Sequence, residues 1–452
     1  MTTNNDLFIR RPLDFVIPND GVTRVDRPDG SNQWEVLRYE LTSFVCEGEY
    51  ERGLERILDS YTGHVGGATQ PAVWVSGFYG SGKSHLVRVL QHLWADTTLP
   101  DGASAQGLAN LSQGIKDQLT GLATIGKRLG APAWSAAGAL DRSGDLNALF
   151  LAILLEAAGL PTRVEPAQVA LWLADKGDLD AVRSHVETAG GDFIEELSEY
   201  NLSTRLADAI LAVDPEFAAS GADVRKALRA QYPPDSELNT KETLALVGKV
   251  LQYVGGGVVP PTLIVLDEVQ QYITDNGGVT TGIQNLVESV SREFGGRVLL
   301  IATGQQELTA DATLQKIQDR FTVKVVLKNQ DVDAVVRRVL LNKEPAQRSA
   351  LESALAGVQG EISRQLVGSA IQHRAQDDAD LVEDYPLLPS RRRFGRASCD
   401  KLTPAAPANS AHSFASSTTP TALSPTREWA QLSVLTISTR PRTRISTERA
   451  CC

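Results

Sequence analysis

The sequence predicts an α/β fold built on a parallel β-sheet. A glycine-rich loop near residue 80 stands between a short apolar segment and an amphipathic helix, and a second apolar segment ends in two adjacent acids near residue 267. Further apolar segments of strand length alternate with helical patterns. This alternation is typical of parallel sheets, whose strands are covered by helices on both faces.

Five segments are predicted to be strands of this sheet, each a short apolar run or alternation. In chain order they are residues 72–76, 132–140, 262–266, 297–302 and 322–327. The second lies within a stretch, about residues 100–255, whose pattern is otherwise mostly helical. Helical spacing is clearest there at residues 146–158 and 193–213. We therefore expect a large helical insertion in the sheet domain.

The chain is predicted to contain four regions, since its composition and periodicity change at three points. The last region is about two-thirds Arg, Ala, Ser, Thr and Pro, so we expect it to be disordered. In order they are residues 1–65, mixed and helical; 66–330, the sheet domain; 331–390, a helical, lid-like segment; and 391–452, a low-complexity tail.

Composition limits the functional class. The 452 residues carry a net charge of −11, and residues 391–452 contribute ten Lys or Arg against three Asp or Glu, or +7, leaving −18 for residues 1–390. Such an acidic body lacks the overall basic footprint of non-specific nucleic-acid binding, although local basic patches stay possible. No apolar run approaches the roughly 20 residues of a membrane span, and none of the four cysteines has metal-ligand spacing. We expect a cytoplasmic protein.

The glycine-rich loop matches the phosphate-binding pattern G-x-x-x-x-G-K-[ST] at every position. In this pattern successive backbone N–H groups point at phosphates, the lysine adds its charge, and the last hydroxyl binds Mg²⁺. The alternative, a glycine turn with an incidental lysine, is disfavoured by the flanking strand and helix. The predicted nucleotide-binding residues are Gly77, Phe78, Tyr79, Gly80, Ser81, Gly82, Lys83, Ser84 and His85. Of these, His85 is expected to begin the helix without acting as a catalyst.

The acid pair Asp267–Glu268 ends the third predicted strand. The carboxyl ends of parallel strands are where open α/β sheets bind ligands. We expect Asp267 and Ser84 to hold Mg²⁺, and Glu268 to polarise the water that attacks the γ-phosphate of ATP. The alternative is a strand that ends in a solvated acidic turn.

Two further positions are candidates for catalysis beside Lys83 and Glu268. Thr303, with Gln305 as second choice, follows the fourth strand and is expected to contact the γ-phosphate or orient the water. The alternative is an ordinary polar turn. Arg320 precedes the fifth strand and is expected to reach a neighbouring subunit's nucleotide. An arginine favoured by a helix carboxyl end is an equal alternative.

These motifs, in this order, resemble the AAA+ branch of the P-loop ATPases over residues 65–375. The resemblance implies five parallel strands, a helical lid and a homo-oligomer. A narrower resemblance is to the BrxC/PglY-type ATPase of bacterial BREX and phage-growth-limitation systems. It is carried by residues 73–86, with an aromatic pair in the loop and His85 after it, and by residues 39–45 and 266–273. It implies phage defence with a DNA methyltransferase and other system proteins as partners. Separately, we expect any contact with DNA to be indirect.

The tail departs from that family, whose members continue with structured sequence. A sequence rich in Arg, Ser, Thr and Pro is typical of GC-rich DNA translated in a shifted frame. We therefore expect that the reading frame of this chain is truncated or frame-shifted. Two other functions stay open from the sequence. One is a nucleotide-switched DNA-loading ATPase related to replication initiators, and the other is a regulatory nucleotide-binding protein with little turnover.

Overall fold

The structure, a computed structural model, describes residues 4–11, 28, 30–78, 80–140, 144–234, 238–276, 279–305, 307, 312–328, 334–364, 367–369, 371–388 and 391. Two predictions therefore lie outside the described residues, the place of Tyr79 in the loop and the character of the tail after Arg391. The chain forms two compact units, residues 23–331 and residues 1–22 with 332–452. The second grouping differs from the predicted 1–65 region, because residues 4–11 pack with the segment that follows residue 331.

A five-stranded parallel sheet forms the centre of the larger unit. Its strands occur in the order β2-β3-β4-β1-β5. Every residue of β1, β3 and β4 is buried, as expected for central strands covered on both faces. The strands are β1 Val73–Ser76, β2 Trp134–Ala139, β3 Thr262–Asp267, β4 Val298–Gly304 and β5 Val323–Val326. The predicted α/β fold with a parallel sheet is confirmed, and β2 lies within the predicted range 132–140.

Fifteen helices of the larger unit connect or flank these strands in the described part of the chain. They are α1 Ser31–Thr42, α2 Gly48–His64, α3 Lys83–Ala95, α4 Ala105–Leu108, α5 Gln113–Leu129, α6 Leu146–Ala157, α7 Val164–Lys176, α8 Leu179–Thr188, α9 Phe193–Ser198, α10 Thr204–Val213, α11 Gly221–Gln231, α12 Thr240–Val254, α13 Val269–Asp275, α14 Thr280–Glu293 and α15 Ala312–Gln315. A short 3₁₀ helix, Gln318–Arg320, precedes β5.

Helices α6 to α12 form the helical insertion, which lies between β2 and β3 in the chain. Their buried apolar faces join one hydrophobic core with the sheet, including Phe150, Leu171 and Ile210. The helical stretch predicted over residues 193–213 is two helices. The break occurs because the Ser203 hydroxyl accepts a hydrogen bond from the Leu206 amide and so begins a new helix.

The smaller unit is held by its own core, which contains Leu7, Phe8, Leu351 and Leu381. The extended backbone at Phe8 pairs with Lys343 in an antiparallel bridge. Its described helices are α16 Pro345–Arg364 and α17 Leu381–Asp384, with 3₁₀ turns at Asn4–Leu7 and Ala375–Asp380 and a π-helical turn at Val336–Leu340. A lid function for this helical segment stays a prediction. No helix in the described residues of either unit is long and apolar enough to cross a bilayer.

Candidate nucleotide-binding site

The glycine-rich loop connects the central strand β1 to α3. Strand β1 ends at Ser76, and α3 begins at Lys83, directly after Gly82 in the left-handed region at φ 83°. Gly80 is also left-handed, at φ 80°. Only glycine adopts this backbone without strain, so the two positions require the residues that the motif supplies. The helix amino terminus and its unpaired N–H groups therefore stand next to the loop, as anion binding requires.

The loop is closely packed from within. A Cβ atom on Gly77 would lie 2.5 Å from the Ser81 hydroxyl oxygen and 3.1 Å from the Leu327 carbonyl oxygen. The Ser81 hydroxyl is buried and has no hydrogen-bond partner among the described residues. A buried hydroxyl without a partner is costly unless something absent from the protein satisfies it. The loop therefore has the tight glycine cradle and the free polar atom that fit a bound phosphate group.

The Lys83 ammonium lies within the curve of the loop. Its Nζ atom donates to the Gly77 carbonyl at 2.9 Å and to the Phe78 carbonyl at 3.1 Å. Desolvation lowers the pKa of Lys83 from its ordinary value, while the nearby carboxylates of Asp267 and Glu268 act in the opposite direction. The structure thus brings the loop lysine and the acid pair into one electrostatic environment, although some 180 residues separate them in sequence.

The two acids have different surroundings. Asp267 is the last residue of β3 and is buried, whereas Glu268 is exposed and has a left-handed backbone at φ 59°. Such a conformation is uncommon for a residue other than glycine and occurs often at functional sites. It changes the direction of the backbone between β3 and α13, directly after Asp267.

Thr303 connects the acid pair to β4. Its hydroxyl donates to Asp267 Oδ1, and it accepts a hydrogen bond from the Glu268 amide at 3.0 Å. The same amide lies 3.1 Å from Asp267 Oδ1. The hydroxyl predicted to contact the γ-phosphate is therefore committed, in this structure, to holding the two acids in place.

Sheet register explains this meeting of distant residues. Leu266 of β3 pairs with Ala302 of β4, which brings Asp267 level with Thr303. On the other side of β4, Val75 of β1 pairs with Thr303, one residue before the strand end at Ser76. Since all the strands are parallel, the loop, the acids and Thr303 lie at the same edge of the sheet.

The oxygen atoms offered at this edge of the sheet are chemically suited to bind Mg²⁺. Ser84 and Asp267 offer hydroxyl and carboxylate oxygens, which are the hard ligands that Mg²⁺ prefers. Among the described residues there is no cluster of three or more His, Cys, Asp or Glu that would form a protein-only metal cage. Magnesium in nucleotide sites commonly takes one or two protein oxygens and completes its shell with phosphate and water. Ser84 and Asp267 are the residues that would hold it.

The remaining predicted residues lie in several environments. Gln305 and Phe78 are exposed, beside β4 and in the loop respectively. Arg320 forms an ion pair with Glu288 of α14 at 2.7 Å, and Glu288 also pairs with Arg292 at 2.8 Å. Arg320 is also the last residue of the short 3₁₀ helix Gln318–Arg320, and its role towards a neighbouring subunit stays a prediction.

The His85 imidazole contacts helix α1 and the segment after it. Its Nε2 lies 3.1 Å from the Glu40 carbonyl, and its ring meets Phe44 edge to face at 5.7 Å between centroids. One turn later, Arg88 pairs with the Glu40 carboxylate at 2.7 Å, with both side chains buried. Sequence reasoning did not single out Glu40 or Arg88. The signal available in the sequence was a charged residue within each of two amphipathic helices, Glu40 in α1 and Arg88 in α3.

No model of a known protein family matches the chain. Among solved structures, the Orc1 protein of Aeropyrum pernix in complex with DNA is similar to it, with a TM-score of 0.29 and 12% sequence identity. The alignment covers 81% of this chain and 71% of that chain. At this score and identity the function has to be inferred from the residues of the site.

Proposed function

We propose that this protein binds ATP with Mg²⁺ and hydrolyses it, as an AAA+-like ATPase. The observation that supports this best is the placement of the Lys83 ammonium inside a glycine loop and within electrostatic reach of Asp267 and Glu268. A lysine held against loop carbonyls can turn to a phosphate, because the phosphate oxygens are stronger acceptors than neutral carbonyls. The acids beside it supply the metal ligand and the base that phosphate hydrolysis needs.

The roles of the residues follow from their positions. The loop amides and the amino terminus of α3 bind the phosphates, and Lys83 neutralises charge on the β- and γ-phosphates. Ser84 and Asp267 would hold the metal, which would neutralise developing negative charge when bound. Glu268 takes the proton of the attacking water, and Thr303 holds the acid pair in register with β4.

The test of the site is Lys83→Ala measured against the parent by calorimetric titration with Mg-ATP. We expect ATP binding to be abolished, because backbone amides alone do not replace the lost charge. Lys226→Ala, which removes an exposed lysine of α11 in the helical insertion, is the matched control and should bind like the parent. Unchanged ATP affinity in Lys83→Ala would overturn the site assignment.

Hydrolysis is a separate part of the proposal. A protein with this site that binds ATP but releases no phosphate would be a regulatory nucleotide-binding protein. Phosphate release should therefore be followed in purified parent protein with and without Mg²⁺. We expect release only when Mg²⁺ is present, since Asp267 and Ser84 would hold the metal, which would neutralise charge on the phosphates.

The biological role that we infer is phage resistance in a BREX or phage-growth-limitation system. Its support is the resemblance of residues 73–86, 39–45 and 266–273 to the ATPase of those systems. Homo-oligomeric assembly and contact with other defence proteins belong to the same inference. The test is phage plating on cells that carry the system with the parent gene or with Lys83→Ala. Equal plating efficiency in the two strains would contradict a defence role for the nucleotide site.

A further inference from the structure

We infer that Tyr50 is a positioning residue for the phosphate-binding loop. Its side chain is buried, and its hydroxyl donates to the backbone carbonyl of Ser81 at 2.6 Å. Ser81 lies inside the loop, although Tyr50 comes from α2, before the sheet begins. This inference rests on the proposed function, since it concerns how the same loop binds nucleotide.

The Tyr50 hydroxyl occupies space that the loop sequence leaves open. A Cβ atom on Gly82 would lie 2.5 Å from the Tyr50 oxygen, closer than real Cβ contacts. Gly82 is therefore required for two reasons, its left-handed backbone and the tyrosine against it. The fit between Tyr50 and Gly82 makes the tyrosine part of the wall that shapes the loop.

A hydrogen bond to the Ser81 carbonyl also orients a donor of the loop. The Ser81 carbonyl and the Gly82 N–H belong to one planar peptide unit, and in a trans peptide they point to opposite sides. Fixing the carbonyl towards Tyr50 therefore fixes the direction of the Gly82 N–H. Loop N–H groups are the donors that cradle phosphates in this motif. Tyr50 thus acts on phosphate binding through the loop backbone, without touching the nucleotide.

Helix α2 is anchored firmly enough for this role. A Cβ atom on Gly53 would lie 2.8 Å from Val325 Cγ1, so the helix packs directly on β5 through a glycine. One turn later, Arg56 donates to the Lys324 carbonyl of the same strand at 3.0 Å. Close packing at the glycine leaves the helix little freedom to shift relative to the sheet.

A second set of contacts connects Tyr50 to the start of α3. The Phe44 ring meets Tyr50 edge to face at 6.1 Å between centroids and meets His85 at 5.7 Å. Phe44 therefore packs between Tyr50 and the first turn of the helix that follows the loop. The loop thus contacts α2 at Ser81 and Gly82, and the helix that follows it contacts Phe44 at His85.

The test compares two tyrosine-to-phenylalanine variants on the same helix. Tyr50→Phe removes the hydroxyl that bonds the loop. Tyr61→Phe removes a hydroxyl that donates to the Arg297 carbonyl at 3.2 Å, directly before β4 and away from the loop. Each loses one hydroxyl bond to a backbone carbonyl, so each is expected to lower the melting midpoint slightly. Only Tyr50→Phe should also weaken nucleotide binding.

Binding is measured by calorimetric titration with Mg-ATP and Mg-ADP, in the full chain below the melting midpoint of all variants. We expect Tyr50→Phe to raise the dissociation constant roughly threefold to tenfold for both nucleotides, the range of one hydrogen bond. The factor should be similar for ATP and ADP because both carry the phosphates that the loop cradles. Tyr61→Phe should stay within about twofold of the parent.

These measurements distinguish failure of the proposed function from failure of the positioning role of Tyr50. If the parent binds ATP, Lys83→Ala does not, and Tyr50→Phe binds like Tyr61→Phe, then the nucleotide site stands and the role of Tyr50 is overturned. If the parent binds neither nucleotide, the proposed function fails and the role of Tyr50 fails with it. A weakening of the same size in both variants assigns the effect to general loss of stability and also overturns the positioning role.

Discussion

The Thr303 hydroxyl donates a hydrogen bond to the Asp267 carboxylate, and this bond joins the ends of two neighbouring strands, β4 and β3. Thr303 also accepts the Glu268 amide, so one side chain positions both members of the acid pair. A change at Thr303 should therefore affect the proposed metal ligand, Asp267, and the proposed catalytic base, Glu268, together.

Replacement of Thr303 by valine keeps the shape and removes the hydroxyl. We expect the kcat for ATP hydrolysis to fall roughly tenfold to a hundredfold, because the acids lose their alignment, while ATP affinity changes little. Thr303→Ser restores the hydroxyl and should recover most of the rate. Steady-state phosphate release at saturating ATP measures the effect. A Thr303→Val protein as active as the parent would show that Asp267 and Glu268 are aligned by other contacts.

Glu268→Gln should retain ATP and lose most hydrolysis. A neutral amide does not accept the proton of the attacking water, and loss of a general base costs about a hundredfold or more in rate. Glu293→Gln, which changes an exposed acid at the end of α14, is the control and should turn over normally. Single-turnover phosphate release separates the chemical step from product release. Parent-like turnover in Glu268→Gln would assign the base to another group.

Arg320 is expected to act on the nucleotide of a neighbouring subunit. Its ion pair with Glu288 is partly exposed, and such pairs contribute about 1 kcal/mol or less, so the guanidinium can leave it at little cost. Arg320→Ala alone should lower hydrolysis. Mixed with Glu268→Gln subunits, it should regain part of the activity, since an intact base then meets an intact arginine at shared interfaces. Absence of recovery in confirmed mixed oligomers would leave Arg320 with a structural role only.

Removal of one partner from the buried Glu40–Arg88 ion pair should strongly destabilise the protein. Arg88→Met leaves the Glu40 carboxylate buried without its partner, which costs about 3–5 kcal/mol. The double variant Glu40→Gln with Arg88→Met should recover part of this loss. Arg292→Ala, which opens an exposed pair, should cost less than about 1 kcal/mol. Denaturant unfolding measures all three, and an Arg88→Met protein as stable as Arg292→Ala would refute the prediction.

Buried His92 should make stability fall in mild acid. Burial, and secondarily the charge of Arg88, lower the pKa of His92 to about 3, from an ordinary value of 6.5. At a pH between these two pKa values, His92 is protonated in the unfolded chain and neutral in the folded protein. The free energy of unfolding therefore falls as pH drops below 6.5. The expected loss is about 2 kcal/mol between pH 7 and pH 5. His92→Gln should remove this part of the pH dependence in denaturant titrations, and an unchanged slope would contradict it.

Much of the fold follows from local pattern. The strands β1, β3 and β4 are buried at every residue, and their sequences are short apolar runs whose length and flanking turn residues favour a strand over a helix. Strand β2 is harder to recognise because Ala136, Ala137 and Gly138 have weak strand propensity, and tertiary contact decides their conformation. A Cβ atom on Gly138 would lie 2.6 Å from Ile153 of α6, which explains the glycine there.

In the candidate site too, some residues are recognisable from the sequence and others only from the structure. Lys83, Asp267 and Glu268 are visible in sequence because the chemistry of phosphate binding requires these residue types in fixed local order. Tyr50 and Glu40 are not, since their importance lies in long-range contacts with the loop and with Arg88. Thr303 is predicted from its place at the end of β4, but its partners Asp267 and Glu268 become apparent only when β3 and β4 are in register. The catalytic roles of these residues stay predictions.

The strand order also has a consequence for how the protein is made. Strand β1 precedes the other described strands in the chain, yet its only sheet neighbours in the described residues are β4 and β5. Val73 pairs with Ile301 and with Val323, so each pairing closes a loop of more than 200 residues. Contacts of such long range form slowly because the entropy of closing the loop must be overcome first. The glycine-rich loop is thus synthesised before β4 and β5, and a nascent chain that ends before β5, Val323–Val326, has the loop without the complete sheet that supports it.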